Sequence, residues 1–246
     1  MMKSLLAALV LALTLVGVGS SGAADLLDRL AYKGPRPPDP RPFNWSGFYF
    51  GAHLGGAIAK SDWVDTFPGF VGVNDANTTP SGFLGGGQVG YNYQIDRLVL
   101  GIEGDGSWAN LSNTVGACFQ DTTQSCTTRA DWIATVTGRV GYARDRALFY
   151  AKGGAAWGHF KYENPCPLCA SPNYVATEIR SGWTVGGGIE YALANNWSVK
   201  FEYDYLDFGT GTPTMVGTPG DTFTEDITNR VHMVKAGLNY LFAGPR

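Results

Sequence analysis

Beyond its first two dozen positions the chain has no apolar run long enough to cross a bilayer as a helix, and its mean hydropathy of -0.07 excludes a helical membrane protein. Charge is also scarce: 16% of residues are charged, with 18 Lys and Arg against 21 Asp and Glu and a formal net charge of -3. That balance lacks the basic surplus that nucleic acid demands, so no nucleic-acid partner is expected. Low charge does not mean disorder here, because 13% of the residues are aromatic. Four cysteines are too few to replace a core with a disulfide framework, and three histidines, His53, His159 and His232, are scattered singly. Spacing for a metal site is missing, and no cofactor is expected. What the chain has in quantity is glycine, 34 residues of it, and aromatic side chains.

Those residues fall into segments of period two, the mark of strands. In VLGIEGDGSWA, Leu98, Leu100, Ile102 and Trp108 share one parity while Glu103, Asp105 and Ser107 share the other. In DWIATVTGRVGY, Trp132, Ala134, Val136, Val140 and Tyr142 oppose Asp131, Thr135, Thr137 and Arg139, with Ile133 out of place. A full apolar stripe opposite a charged one fits a strand between lipid and a polar interior, because no helical segment is present to cover the apolar side.

From Phe43 to Phe242 the pattern predicts eight strands: Asn44 to Ala59, Gly82 to Gln94, Leu98 to Ala109, Arg129 to Ala143, Ala147 to Lys161, Thr177 to Tyr191, Trp197 to Leu206 and Asn229 to Phe242. Their connections alternate. Gln94 to Arg97, Arg144 to Arg146 and Ala192 to Asn196 are short, whereas Lys60 to Ser81, Asn110 to Thr128, Tyr162 to Ala176 and Asp207 to Thr228 are long and polar. Short turns on one rim and long loops on the other describe an all-β, antiparallel up-and-down transmembrane barrel with outer-membrane lipid around it. Ahead of it, MMKSLLAALVLALTLVGVGSSGA reads as a signal peptide over residues 1–23, because its apolar run is too short to span and small residues follow. Residues 24–43 carry Pro35, Pro37, Pro38, Pro40 and Pro42, which forbid regular structure and predict an extended periplasmic tether. A peptidoglycan- or partner-binding arm is the alternative for that segment.

Parity assigns the aromatics to two belts. Phe48, Phe50, Tyr91, Tyr93, Tyr142, Phe149, Tyr191, Trp197, Tyr240 and Phe242 lie toward the short turns; Phe83, Trp108, Trp132, Trp157, Trp183, Tyr203 and Tyr205 lie toward the long loops. Amphipathic rings favour both interfaces of a bilayer. Opposite parity gives the interior: Tyr49, His53, Gln88, Asn92, Tyr150 and Asn239, with a network of Glu103, Asp105, Asp131, Arg139, Lys152, Arg180, Glu190, Lys200, Glu202, Asp204 and Lys235. Near-balance of sign predicts paired charges that plug the lumen, since eight strands leave room only for side chains.

At this point a family resemblance can be given. NWSGFYFGAHLGGA, GGGQVGYNYQ, TGRVGYARDRALFYAKGGAAWG, GWTVGGGIEYALANNWSVKFEYDYLDFG and the closing VKAGLNYLF resemble the small "porin family" outer-membrane barrels of alphaproteobacteria, relatives in architecture of the OmpA membrane domain. The resemblance covers about Asn44 to Phe242 and is most specific from Gly182 to Gly209. It implies an outer-membrane protein with an envelope-stabilising or surface-recognition role, toward host or other surface ligands. Val234, Ala236, Leu238, Tyr240 and Phe242 are read as the assembly signal for the barrel-assembly machinery. Barrels of this kind stop on the terminal aromatic; here a short extension, residues 243–246, follows it.

Other motifs yield to plainer readings. Gly85, Gly87 and Gly90 spell GxGxxG, but Val89, Tyr91 and Tyr93 continue one strand where a dinucleotide site needs a helix. Cys118 and Cys126 share one long loop, and Cys166 and Cys169 form a CxxC in the next. In the oxidising compartment that a signal peptide implies, local disulfides are expected, with zinc or redox chemistry the minor alternative. No His and Ser stand two apart on one strand face, so no catalytic function is expected, and a rim enzyme acting on lipid ranks below a narrow diffusion channel.

Overall fold

The computed structural model describes residues 43–65, 74–116, 125–165, 173–193, 196–217 and 220–243. The leader, nearly all of the Pro-rich segment, Cys118, Cys166, Cys169 and residues 244–246 lie outside the described residues.

Ten strands follow in order: β1 (Gly47–Asp65), β2 (Asn74–Thr78), β3 (Ser81–Ile95), β4 (Leu98–Gly116), β5 (Ser125–Arg144), β6 (Ala147–Pro165), β7 (Asn173–Ala192), β8 (Trp197–Gly211), β9 (Thr214–Gly217) and β10 (Thr222–Ala243). Eight long ones pair antiparallel in the order β1-β3-β4-β5-β6-β7-β8-β10. Strand β10 then returns to β1 and pairs from Gly47 opposite Ala243 to Asp65 opposite Glu225. Closure removes both sheet edges, which is the condition for a sheet to stand in lipid. Short β2 lies against the outer end of β1, and short β9 bridges β7 and β10.

Two hairpins on the short rim turn on Asp96-Arg97 and Asp145-Arg146, with Asp96 at φ 53° and Asp145 at φ 56°. Aspartate tolerates this left-handed region because its short side chain bonds locally. Facing outward are Phe83 at 85% exposure, Trp108 at 79% and Ile102 at 66%, values no water-soluble core residue would show. Both aromatic belts are thus on the outside.

Strands are longer than the alternation predicts, mostly by several residues on the long-loop side and by at most one on the short-turn side. Stretches expected as loops from Lys60, Asn110, Tyr162 and Asp207 continue as paired strand before the chain turns. Hairpins that project past the bilayer keep their ladder, but their outer face meets water and loses the apolar stripe that marked them.

One face assignment is overturned. Asp131 is exposed, its carboxylate 56% accessible and 3.0 Å from His159 Nδ1, so it is no member of the lumenal network. Ladder shifts between Ala130 and Trp132 on the β6 side, and between Trp108 and Leu111 on the β4 side, place Asp131 in a bulge. A bulge inserts one residue and reverses the faces beyond it. Ile133, apolar on the charged parity, keeps its register with Ser107 and Gly158 and is fully buried inside the barrel.

Two outcomes test this architecture. Val136→Arg, on the lipid face, should cost about 2 to 4 kcal/mol in a refolding titration, whereas His232→Arg near the outer interface should cost little. Deleting Asn239 onward removes the β10 partners of Gly47 to Gly51. That truncation should abolish the heat-modifiable barrel, while removal of residues 244–246 alone should be tolerated, a difference that gel mobility and protease resistance read directly.

Candidate functional site

The lumen is filled in three layers. Nearest the short rim, Trp45, Val99, Ala143, Leu148, Tyr150 and Ala192 form an apolar floor, with Phe43 packed against it. The Trp45 backbone amide donates to Gln94 Oε1 at 2.8 Å, which draws the chain ahead of β1 across the barrel end. Toward the long loops a larger apolar cluster includes Trp63, Leu111, Ile133, Phe160, Tyr162, Phe208, Ile227 and Met233. Sequence reading missed this upper layer as a layer. Its signal was present, since Leu84, Phe160, Leu206, Val231 and Met233 sit on the inward parity of segments already assigned as strands.

Between the two lies the charged layer. Lys235 Nζ stands 2.9 Å from Asp105, 2.9 Å from Glu202 and 2.8 Å from Asp204. Lys152 Nζ reaches Glu103 at 3.1 Å, Glu202 at 2.9 Å and Asp204 at 3.6 Å. Lys200 Nζ lies between Glu103 at 3.2 Å and Glu202 at 3.4 Å. Arg139 completes the set, 3.6 Å from Glu103 and 3.5 Å from Glu190, with its guanidinium 4.6 Å and 5.2 Å from the ring centroids of Tyr49 and Tyr150. These two rings also bind the acids, Tyr49 donating to Glu103 at 2.8 Å and Tyr150 to Glu202 at 2.7 Å. Gly90 makes room for this arrangement, because a side chain there would run into the Tyr49 ring.

Neutral donors extend the layer. His53 lies 2.6 Å from Gln88 Oε1 and 2.8 Å from Ser107 Oγ; Gln88 donates to Asn239 Oδ1 at 2.6 Å, and Asn239 donates to Glu190 at 2.8 Å. Ser107, His53 and Asp105, 3.6 Å from His53, include the residue types of a nucleophilic triad. All three are buried, between the two apolar layers.

Every long strand contributes: β1 with Tyr49 and His53, β3 with Gln88 and Asn92, β4 with Glu103 and Asp105, β5 with Arg139, β6 with Lys152, β7 with Glu190, β8 with Lys200, Glu202 and Asp204, and β10 with Lys235. Arg180 is the second residue of the expected network found elsewhere. It is buried in the upper layer and donates to the carbonyls of Ile227 at 2.8 Å, Phe208 at 3.1 Å and Gly209 at 3.0 Å, with Glu178 3.3 Å away. There it satisfies backbone groups freed by a bulge in β8, where Gly209 takes φ +62° and the ladder to β10 shifts past Asn229. Cys126 is disulfide-bonded. Among the described residues no group of His, Cys, Asp and Glu could hold a metal ion.

A closed ring of amphipathic strands with two aromatic girdles and a polar interior defines an integral β-barrel of the outer membrane. The outer membrane protein beta-barrel domain matches residues 11–242, and the chain belongs to that family. It is 34% identical to the 31 kDa outer-membrane immunogenic protein of Brucella melitensis over 220 residues, covering 85% of this chain and 89% of that one. It is 29% identical to the 22 kDa outer membrane protein of Rhizobium leguminosarum bv. viciae, covering 67% and 65%. Among solved structures, the outer membrane protease OmpT of Escherichia coli matches with a TM-score of 0.50 at 11% identity, covering 81% of this chain and 98% of that one, a likeness of fold alone. The protein is thus an outer-membrane protein related to those of alphaproteobacteria.

Buried ion pairs are costly to break singly. Glu103→Ala takes one acid partner from each of Lys152, Lys200 and Arg139 at once and should destabilise the refolded barrel by about 3 to 5 kcal/mol. The double variant Glu103→Leu with Lys200→Met should lose less than the sum of its two singles, which urea unfolding of the four proteins measures as a coupling energy.

Proposed function

We propose that the barrel is a closed, noncatalytic element of the outer membrane that stabilises the envelope and carries its long outer hairpins as a surface for recognition. The observation that carries this is the burial of the charged layer: Lys200 and Lys235 have no exposed surface, and apolar clusters lie on both sides of them. A water-filled diffusion path needs polar groups lining a continuous opening, whereas these side chains are spent on one another. Outside the bilayer, the extended β4, β5, β6 and β7 hold the outer loops on paired backbone, and local disulfides, Cys118 with Cys126 and Cys166 with Cys169, would brace those loops. The extended tether and the terminal stripe from Val234 to Phe242 fit contacts with peptidoglycan and with the barrel-assembly machinery.

Relatives named as immunogenic outer-membrane proteins support a role in which outer loops are accessible. OmpT shows that a barrel of this general fold also carries an enzyme, so the fold leaves the question to the site. Among the described residues, the buried Ser107 and His53 pair faces away from solvent. Refolded full-length protein in planar bilayers should give no reproducible conductance steps. Ion-selective steps of uniform size would replace this reading with that of a narrow channel.

A further inference from the structure

Cations on the outer face of the barrel are not all treated alike. Toward the long loops each has an acid: Lys60 and Arg230 share Asp62, Arg230 also meets Asp207, and Arg129 and Lys161 share Glu163. On the short rim three exposed arginines, Arg97, Arg144 and Arg146, make no ion pair among the described residues. They are concentrated on two adjacent hairpins, β3-β4 and β5-β6, which are joined where the Ala143 amide donates to the Arg97 carbonyl at 2.7 Å. The third short turn, Ala192 to Asn196, carries no charge.

Arg97 does not reach away from the membrane. Its guanidinium donates to the hydroxyl of Tyr142 at 2.9 Å, and Tyr142 is a lipid-facing ring of the lower belt. Directly above lies a shallow depression of about 740 Å³ whose walls include Leu98, Val140, Tyr142, Phe149 and Ala151. This apolar trough opens onto the Arg97 guanidinium, with Asp96 also on its wall, and Arg144 and Arg146 stand on the neighbouring hairpin. Its complement has two parts, acyl chain for the trough and a phosphate for the arginines, whose planar forks bind such oxygens in pairs.

We propose that this rim seats an anionic diacyl phospholipid of the inner leaflet, with its phosphate on Arg97, Arg144 and Arg146 and one acyl chain along Val140 and Ala151. The seat is independent of whether the lumen conducts.

Full-length barrel in micelles containing equimolar phosphatidylglycerol and phosphatidylcholine of the same chains, released for native mass spectrometry, tests it. Retained phosphatidylglycerol should exceed phosphatidylcholine several-fold. The combined variant Arg97→Gln, Arg144→Gln, Arg146→Gln should bring the two lipids to parity, and the corresponding Lys replacements should keep part of the preference. Arg230→Gln, on the opposite rim, should leave it unchanged, and heat-modifiable mobility confirms that each variant is folded. The proposal is overturned if wild-type protein shows no preference, if the Gln variant keeps it in full, or if Arg230→Gln abolishes it. Displacement of the bound lipid by soluble peptidoglycan fragments would assign the rim to the cell-wall polymer instead and equally overturn the lipid seat.

Discussion

The whole barrel depends on one buried layer of ion pairs. Glu103 meets two lysines and Arg139, Glu202 meets three lysines, and Lys235 serves three carboxylates, so the loss of any one of these three takes a partner from several others at once. Such a layer is a poor source of raw stability, since well-packed apolar replacements of buried ion pairs are often neutral or stabilising by about 1 to 4 kcal/mol. Its effect is on register. A one-residue slip between two strands would turn every inward charge toward lipid and every lipid-facing ring into the lumen. At about 2 to 4 kcal/mol per misplaced cation near the midplane, slipped barrels are excluded by far more than the ladder alone would discriminate.

The layer above and the layer below complete that logic. Trp45 and its neighbours close one end, and the cluster around Trp63, Phe160 and Ile133 closes the other, so the ion pairs sit away from bulk water, where each is strengthened by low polarity. Outward, the constraint relaxes: the extended ends of β5 and β6 carry Arg129 and Lys161 in half-exposed pairs with Glu163, whose contribution is small.

Much of this was legible in the sequence because lipid and lumen impose opposite demands on alternate residues. Leu98, Ile102 and Val136 could face only lipid, and Glu103, Lys200 and Lys235 only the interior, so strand number, topology and both belts follow from parity. Asp131 was misread because a bulge is a local geometric event: one extra residue reverses the pattern beyond it, and alternation alone leaves no mark of where that happens. Arg180 was grouped with the ion pairs because parity reports a face and not a depth; its partners are carbonyls of the β8 bulge. The strand ends past Ala59, Ala109, Lys161 and Leu206 were hidden because paired backbone between water and lumen needs no apolar stripe. Trp63, fully buried in that extension, was the residue that could have revealed it.

Closure of the ring brings these threads together. Strand β10 forms backbone pairs with β1, but it also delivers Lys235 to Asp105 of β4 and to Glu202 and Asp204 of β8, and Asn239 to Glu190 of β7 and Gln88 of β3. Without β10 the layer would hold five acids, Glu103, Asp105, Glu190, Glu202 and Asp204, against Arg139, Lys152 and Lys200. The terminal strand therefore brings the cation that most nearly balances the layer at the moment it removes the last free edges. Correct closure is recognised by charge in the lumen as well as by hydrogen bonds in the wall, and a strand that brought the ladder without Lys235 would seal an unbalanced interior.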